Sequence, residues 1–387
     1  MMNNDADQQL SFDLSEEMKM LRRTAREFAD AEVRPKVLEY DEAQKFPEEL
    51  VARMGELGFL GAVVSEELGG AGMTAREFVV IMEELGRVDP SVALTLAAHS
   101  GLCLEHILQF ATDAQKKKYV PDLASGAKIG SWCLTEPGSG SDAGGMLTTA
   151  EKKGSDYVLS GTKNFITNGS YASTFVVMAK TDPSRGKAGI SAFIVEKEMG
   201  IRVGKKENKL GFRASDTVQL VFENVKVPAA NLLGQEGDGL KQALAVLDSG
   251  RVGVAALAVG LAQGALDASL KYAKERKAFG KTLGEFQGIQ FKLADMATEI
   301  EAARLLTFRA ADDKALGRPL TLSAAYAKYF ASEVAQRAAT EAVQIHGGYG
   351  YIKEFPVEKY YRDAKLLTIG EGTSEVQRMV IAKNILG

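Results

Sequence analysis

The stretch with the clearest capacity for chemistry lies near the end of the chain: Gly370-Glu371-Gly372-Thr373-Ser374-Glu375-Val376-Gln377. Glycine on both sides of Glu371 permits backbone geometry that can aim one carboxylate into a cavity. Ser374 followed by Gln377 fits a capping box, so a last helix is expected to open there, with Glu371 on its approach. An exposed loop glutamate would satisfy the same pattern. A second candidate, Gly138-Ser-Gly140-Ser-Asp-Ala143, matches the glycine fingerprint of dinucleotide sites and follows an expected strand. That fingerprint needs a helix immediately afterwards, and Gly144-Gly145-Met-Leu-Thr148-Thr149 leads into more β-texture instead. What remains is a loop whose free N–H groups could hold a phosphate or flavin oxygen, or a plain surface turn.

Other candidates are weaker. Gly280-Lys281-Thr282 resembles the end of a phosphate-binding loop, but Glu275 stands where the first glycine would be. His99 and His106 could share a helical face, yet no third ligand is evident, so satisfied buried imidazoles are expected and metal is not. His346 before Gly347 reads as a helix end. Cys103 and Cys133 cannot form a disulfide framework and read as buried thiols in a reducing compartment. Lys116 to Lys118 read as a solvated face.

The elements that would carry these residues follow from texture. The chain has 387 residues, with 45% hydrophobic and 25% charged, so disorder and rod-like folds are excluded and two or three packed domains are expected. Lys+Arg 47 against Asp+Glu 51 leaves a net charge of −4, so no overall positive field draws in nucleic acid or anionic lipid. Met1 to Gln9 is polar and lacks a leader pattern, and Val252 to Ala262 is too short and Ala/Gly-rich to span a bilayer, so a soluble cytoplasmic protein is expected. Helical spacing runs from Ser15 to Ala124, broken at Phe46-Pro47, at Gly69-Gly70-Ala71-Gly72 and at Asp89-Pro90. Near Lys128 the texture becomes short β-rich runs, such as Thr174-Phe-Val-Val-Met and Ile190-Ser-Ala-Phe-Ile-Val, whose short connections suggest an antiparallel sheet. After Val227-Pro228 long stripes return, including Ile289, Leu293, Met296, Ile300 and Ala303, as in a helix bundle. Ala-rich faces there suit packing between subunits. The expectation is an α+β chain of three parts: 1–127 helical, 128–232 an antiparallel β-barrel or sandwich, and 233–387 a four-helix bundle.

Six motifs in register sharpen this: Leu134-Thr-Glu-Pro-Gly-Ser-Gly-Ser-Asp142, Lys163-Asn-Phe-Ile-Thr-Asn-Gly169, Arg276-Lys-Ala-Phe-Gly280, Gln344-Ile-His-Gly-Gly-Tyr-Gly350, Tyr361-Arg-Asp363 and Glu371-Gly-Thr-Ser-Glu-Val-Gln-Arg378. Together they resemble the acyl-CoA dehydrogenase family over almost the whole chain. The resemblance implies FAD, trans-2,3-desaturation of an acyl-CoA thioester, and electrons passed to an electron-transferring flavoprotein. It implies that Glu371 is the α-proton base and that flavin N5 accepts hydride from the β-carbon. Leu134, Thr135 and Ser141 would bond the flavin edge, with Phe165 and Thr167 beside the ring; many relatives carry Trp at the Phe165 position. Arg276, Phe279, Gln287, Gln344 and Gly348 would hold the ADP half of a neighbouring subunit's FAD, and Thr373 and Glu375 would lie near the FAD pyrophosphate and adenosine. Ser141, Asp248, Arg251 and Gly372 would contact the acyl-CoA. A flavin shared across an interface implies an oligomer, in this family a homotetramer built as a dimer of dimers.

Three departures bear on substrate. The isovaleryl branch carries its base at the place occupied here by Gly250, so Glu371 stands alone. Ala93 takes the position of the glutaryl branch's carboxylate-binding Arg, which disfavours a dicarboxylate. Gly370 replaces a Tyr of many straight-chain members, which either is neutral or widens the acyl pocket. Leu247-Asp-Ser-Gly-Arg-Val-Gly resembles the short-chain branch, so a short- or medium-chain thioester in a β-oxidation role is expected. The rival readings are an acyl-CoA oxidase, disfavoured because such proteins are usually much longer, an enoyl-CoA reductase using the same site, and a catalytically idle relative acting as a scaffold.

Overall fold

The computed structural model describes residues 14–387; the polar stretch Met1 to Gln9 lies outside the described residues. The first helices are α1 (Glu16–Phe28), α2 (Val37–Ala43), α3 (Glu48–Glu56), α4 (Ala75–Val88), α5 (Pro90–Leu96), α6 (Glu105–Phe110) and α7 (Asp113–Ser125). Local chemistry sets their starts. After the Gly69 to Gly72 break, Thr74 and Glu77 close a reciprocal capping box on α4. Asp89 caps α5, with Pro90 at its first position where no N–H is needed. Between α5 and α6 the chain stays helical but widens into π-helix over Ala97–Leu104, a feature no residue pattern announced.

The strands are β1 (Gly130–Cys133), β2 (Thr149–Lys153), β3 (Asp156–Thr167), β4 (Thr174–Lys180), β5 (Ile190–Glu196), β6 (Arg202–Lys206), β7 (Thr217–Pro228) and β8 (Leu232–Leu233). They order as β6-β7-β3-β2-β4-β5-β8, with β1 also on β4. The sheet is mixed rather than purely antiparallel: β1 runs parallel to β4, with Trp132 opposite Val176, and β2 meets the end of β4 in parallel. The connection that makes this possible is the β2–β3 hairpin itself, which lies between β1 and β4 in sequence and replaces a crossover helix. Alternate residues of β4 serve two cores. Phe175 and Val177 pack within the β-domain against Phe193 and Val195. Val176 and Met178 pack on the other face with Leu102, Leu134 and Val246.

The second helical set is α8 (Gly239–Glu275), α9 (Gln287–Ala315), α10 (Thr321–His346), α11 (Val357–Leu367) and α12 (Ser374–Leu386), with a hairpin of β9 (Lys277–Ala278) and β10 (Lys281–Thr282) after α8. α8 is central. A Cβ on Gly260 would stand 2.2 Å from the Glu83 carbonyl and one on Gly86 would stand 2.7 Å from the Leu257 carbonyl, so glycine lets α4 and α8 touch backbone to backbone. By length and composition Pro90–Phe110 and Gly239–Glu275 could cross a membrane, contrary to the expectation from Val252 to Ala262 alone. They are core helices: 83% and 78% of their apolar windows are buried inside the protein. The Ala-rich faces also differ from expectation, since Ala327, Ala331, Ala335, Ala338 and Ala342 are buried within one chain rather than left for a partner.

The Tyr361-Arg-Asp363 motif acts as a latch between these layers. Asp363 accepts the Phe212 amide and pairs with Lys359, which also bonds Asp89 at 2.8 Å. Arg362 reaches Asp41 at 2.7 Å and Glu358.

Candidate functional site

Glu371 sits on a left-handed turn, at φ 53, followed by Gly372 at φ 94. A non-glycine residue there is strained, and neighbours from three helices hold it. Arg251 of α8 donates from Nε to the Glu371 carbonyl at 3.4 Å. Lys328 of α10 donates from Nζ to the Gly372 carbonyl at 2.7 Å. Gln377 of α12 donates to the same two carbonyls, at 3.4 and 3.0 Å. The expected cap shifts by one residue: Thr373, not Ser374, caps α12 by accepting the Val376 amide. Ser374 instead donates to Glu333 at 2.6 Å.

With its backbone fixed, the carboxylate is left bare. Glu371 Oε2 is enclosed and has no hydrogen-bond partner among the described residues. Burial raises the carboxyl from 4.5 to about 7, with Lys328 and then Arg251 pulling it back. Arg251 is itself buried and bonded to Asp248 at 2.6 Å, and Asp248 accepts the Thr321 hydroxyl. Space for Oε2 comes from Gly250: a Cβ there would stand 2.7 Å from Oε2 and 2.8 Å from Leu102 Cδ2. Leu102, from the π-helical stretch, belongs to the same apolar cluster as Trp132 and Leu134, which brings the carboxylate toward the β-domain.

At that corner of the β-domain, Asn164 donates its amide to the Thr135 carbonyl at 2.8 Å, and buried Lys163 bonds the Leu134 carbonyl and Glu136. Glu136 accepts the Leu147 and Thr148 amides, so it closes the Gly-rich loop at both ends. Ser131 donates to the Thr167 carbonyl. Phe165, at φ 56, stands 60% exposed. A Cβ on Gly138 or Gly140 would meet nothing within 4 Å, and Ser141 is exposed. The loop continues into a three-residue turn and β2, not a helix, as its sequence suggested. An exposed flat ring beside an open glycine loop fits a planar, oxygen-rich cofactor such as FAD.

The remaining expected residues lie on and beside the β9–β10 hairpin, at the start of α9, around the end of α10 and in the first turn of α12. Phe279 and Gly280, at φ 52 and 82, form the turn of the β9–β10 hairpin, with Phe279 95% exposed. Arg276 stacks over Tyr349 and, with Gly348, lines an open cleft of about 530 Å³. Gln287, Gln344 and Glu375 are exposed. His99 bonds the Gly130 amide and the Leu123 carbonyl, and His106 bonds Trp132 and Gln242. Among the described residues no His, Cys, Asp and Glu cluster could hold a metal ion. Cys103 and Cys133 are free and buried. Sequence reasoning missed Lys328, the donation of Gln377 to the two turn carbonyls and the spatial role of Gly250. The spacing of Gln377 could have found the second; nothing local marked the others.

The chain belongs to the acyl-CoA dehydrogenase family: the descriptions of its N-terminal, middle and C-terminal domains match residues 15–127, 131–225 and 237–386. This is a family of FAD flavoproteins that oxidise a CH–CH bond of acyl-CoA. A short-chain specific acyl-CoA dehydrogenase of Clostridium acetobutylicum is 48% identical, over 97% of this chain and 100% of that protein. The structure of butyryl-CoA dehydrogenase from Megasphaera elsdenii superposes with TM-score 0.96 at 46% identity, covering 98% of this chain and 100% of that one. A chain in a structure described as electron transferring flavoprotein of Acidaminococcus fermentans matches with TM-score 0.96 at 48% identity, covering 97% and 100%. A prolyl acyl carrier protein oxidase also matches, at 33% identity and TM-score 0.93 over 96% of this chain and 100% of that one, so length does not argue against an oxidase.

Proposed function

We propose that this chain desaturates a short acyl-CoA at the α,β-bond, with Glu371 as the base. The observation that carries the reading is the enclosed, unpartnered Oε2 of a residue whose backbone is held from three helices. Removing a weakly acidic α-proton needs a base with matched pKa, and burial supplies that match, worth roughly 3–5 kcal/mol of barrier. The Glu371 amide is the donor we assign to the thioester oxygen, a contribution of about 3–4 kcal/mol. When bound, FAD supplies the two-electron acceptor that takes the β-hydrogen as hydride. Leu134, Thr135, Ser141, Phe165 and Thr167 would seat the flavin edge, and Thr373 and Glu375 would lie toward its phosphates. Arg276, Phe279, Gln287, Gln344 and Gly348 would receive the ADP half of a second subunit's FAD. The exposure of Phe279 supports that reading, together with a homotetramer. Ser141, Asp248, Arg251 and Gly372 would face the acyl-CoA, with Arg251 acting chiefly through the Glu371 carbonyl.

The short-chain assignment is supported by the relatives from Clostridium and Megasphaera. The acceptor we assign is an electron-transferring flavoprotein, and the location cytoplasmic, in keeping with bacterial relatives. The three-part division at 127/128 and 232/233 belongs to the same reading; helices that end at Ser125 and resume at Gly239 support its outline, while β8 (Leu232–Leu233), paired with β5, straddles the second cut. The test is anaerobic flavin bleaching by butyryl-CoA and by longer, branched and aromatic thioesters. Butyryl-CoA is expected to bleach the wild type fastest, while Glu371→Gln keeps its flavin and does not bleach. Near-normal bleaching by that variant would sink the base assignment. Peroxide formed in air at the rate of turnover would favour an oxidase.

A further inference from the structure

We propose that Lys328 is a positioning residue for proton abstraction: its buried ammonium fixes the Glu371–Gly372 turn and sets the pH range over which Glu371 is ionised. This rests on the reading of Glu371 as the base.

Lys328 is fully buried on α10, in Ala324-Ala-Tyr-Ala-Lys328, with alanines on its own face of the helix. Burying an ammonium is costly unless something requires it. Its one bond among the described residues is to the Gly372 carbonyl at 2.7 Å. That carbonyl needs an external donor, because the turn at φ 53 and 94 breaks the helical ladder between α11 and α12. Gln377 also donates to it, at 3.0 Å, so a neutral amide already serves the carbonyl. A second donor bearing full charge is more than the hydrogen bond requires. What the charge adds is a field on the preceding residue, Glu371, whose carboxylate has no hydrogen bond at Oε2 and, among the described residues, no cation acting on it besides Lys328 and Arg251.

The surrounding charges agree with this division. Arg251, from α8, is spoken for by Asp248. Glu333 on α10 is bonded by Ser374, and Glu375 on α12 is exposed; both lie near enough to support Lys328 as a cation. Burial lowers Lys328 to about 8, and Glu371, the larger opposing influence, holds it up. Lys328 is also the first of the two cations that draw Glu371 back from the full effect of burial. Near pH 7 the ammonium is therefore charged and favours the ionised form of the base.

Without the charge on residue 328, Glu371 binds its proton more tightly, so the acidic limb of kcat/KM moves to higher pH. Lys328→Met removes charge and donor together, whereas Lys328→Gln keeps a donor for the Gly372 carbonyl and removes only the charge. Both are to be purified as holoenzymes with flavin content checked, and Glu371→Gln is the control. The acid limb is expected to rise by about one pH unit in both Lys328 variants, a roughly tenfold loss at pH 6 that largely recovers above pH 8. Lys328→Arg is expected to keep the limb near its wild-type position. An independent reading comes from infrared titration of the carboxyl band that Glu371→Gln abolishes, which should shift by the same amount without turnover. A wild-type limb and carboxyl titration in Lys328→Gln would overturn the proposal while leaving the base assignment intact. Unimpaired bleaching by Glu371→Gln would instead overturn the base assignment itself.

Discussion

Lys328 and Lys359 are both buried lysines on helices of the C-terminal bundle, and they behave in opposite ways. Lys359 lies between Asp89 and Asp363, at 2.8 and 2.6 Å, with Asp363 further held by the Phe212 amide. Burial alone would pull its pKa down, but Asp363, Asp89 and Asp41 hold it above the ordinary lysine range. Lys328 has a carbonyl in place of a carboxylate pair, and burial brings it down to about 8. The carboxylates differ in the same sense. Asp363 is saturated with partners, while Glu371 Oε2 has none among the described residues. A closed set of buried charges is a structural latch; an open one is available for proton transfer.

The largest expected effect breaks the closed set. Lys359→Met leaves the Asp89 and Asp363 carboxyls facing each other without a cation, which should cost about 3–5 kcal/mol in urea unfolding. A loss below about 1 kcal/mol would remove the distinction between the two lysines. Next is Gly250→Ala, which presses a methyl group into Glu371 Oε2 and Leu102. Because misplacing a reacting group by an ångström costs about a hundredfold, kcat should fall by that factor, equivalent to about 2.7 kcal/mol, with flavin content retained. Unchanged kcat would mean that the carboxylate works from another position. The smallest is Thr373→Ala, which removes the cap of α12 and should cost about 1 kcal/mol in thermal unfolding. A much larger loss would show that Thr373 does more for the turn than cap the helix.

The sequence made the open site visible through Glu371 and its glycines, because a carboxylate flanked by conformational freedom is a local signal. The order of helical, β-rich and helical texture was legible for the same reason: periodicity is local. Other features depend on what comes together in space. Lys328 lies 44 residues before the carbonyl it holds and reads locally as one lysine in a helix. Gly250 gives no hint on its own that its missing side chain is filled by Glu371. The parallel β1–β4 pair depends on a hairpin acting as a crossover, which turn residues do not signal. The Ala-rich stripes specified close packing correctly but not its partner, since a helix of the same chain satisfies them as well as a second subunit would. The cap at Thr373 instead of Ser374 shows how far a box pattern can slide when an adjacent hydroxyl, here bonded to Glu333, has another partner.

The most direct measurement is the pH dependence of kcat/KM for anaerobic flavin reduction by butyryl-CoA in the wild-type holoenzyme. Glu371 must be ionised to take the proton, so the rate should fall tenfold per pH unit on the acid side and level off above a midpoint near 7, the value to which burial raises this carboxyl. A midpoint near 4.5, the ordinary value of a glutamate in water, would contradict the claim that Glu371, with Oε2 enclosed and without a hydrogen bond among the described residues, is the base.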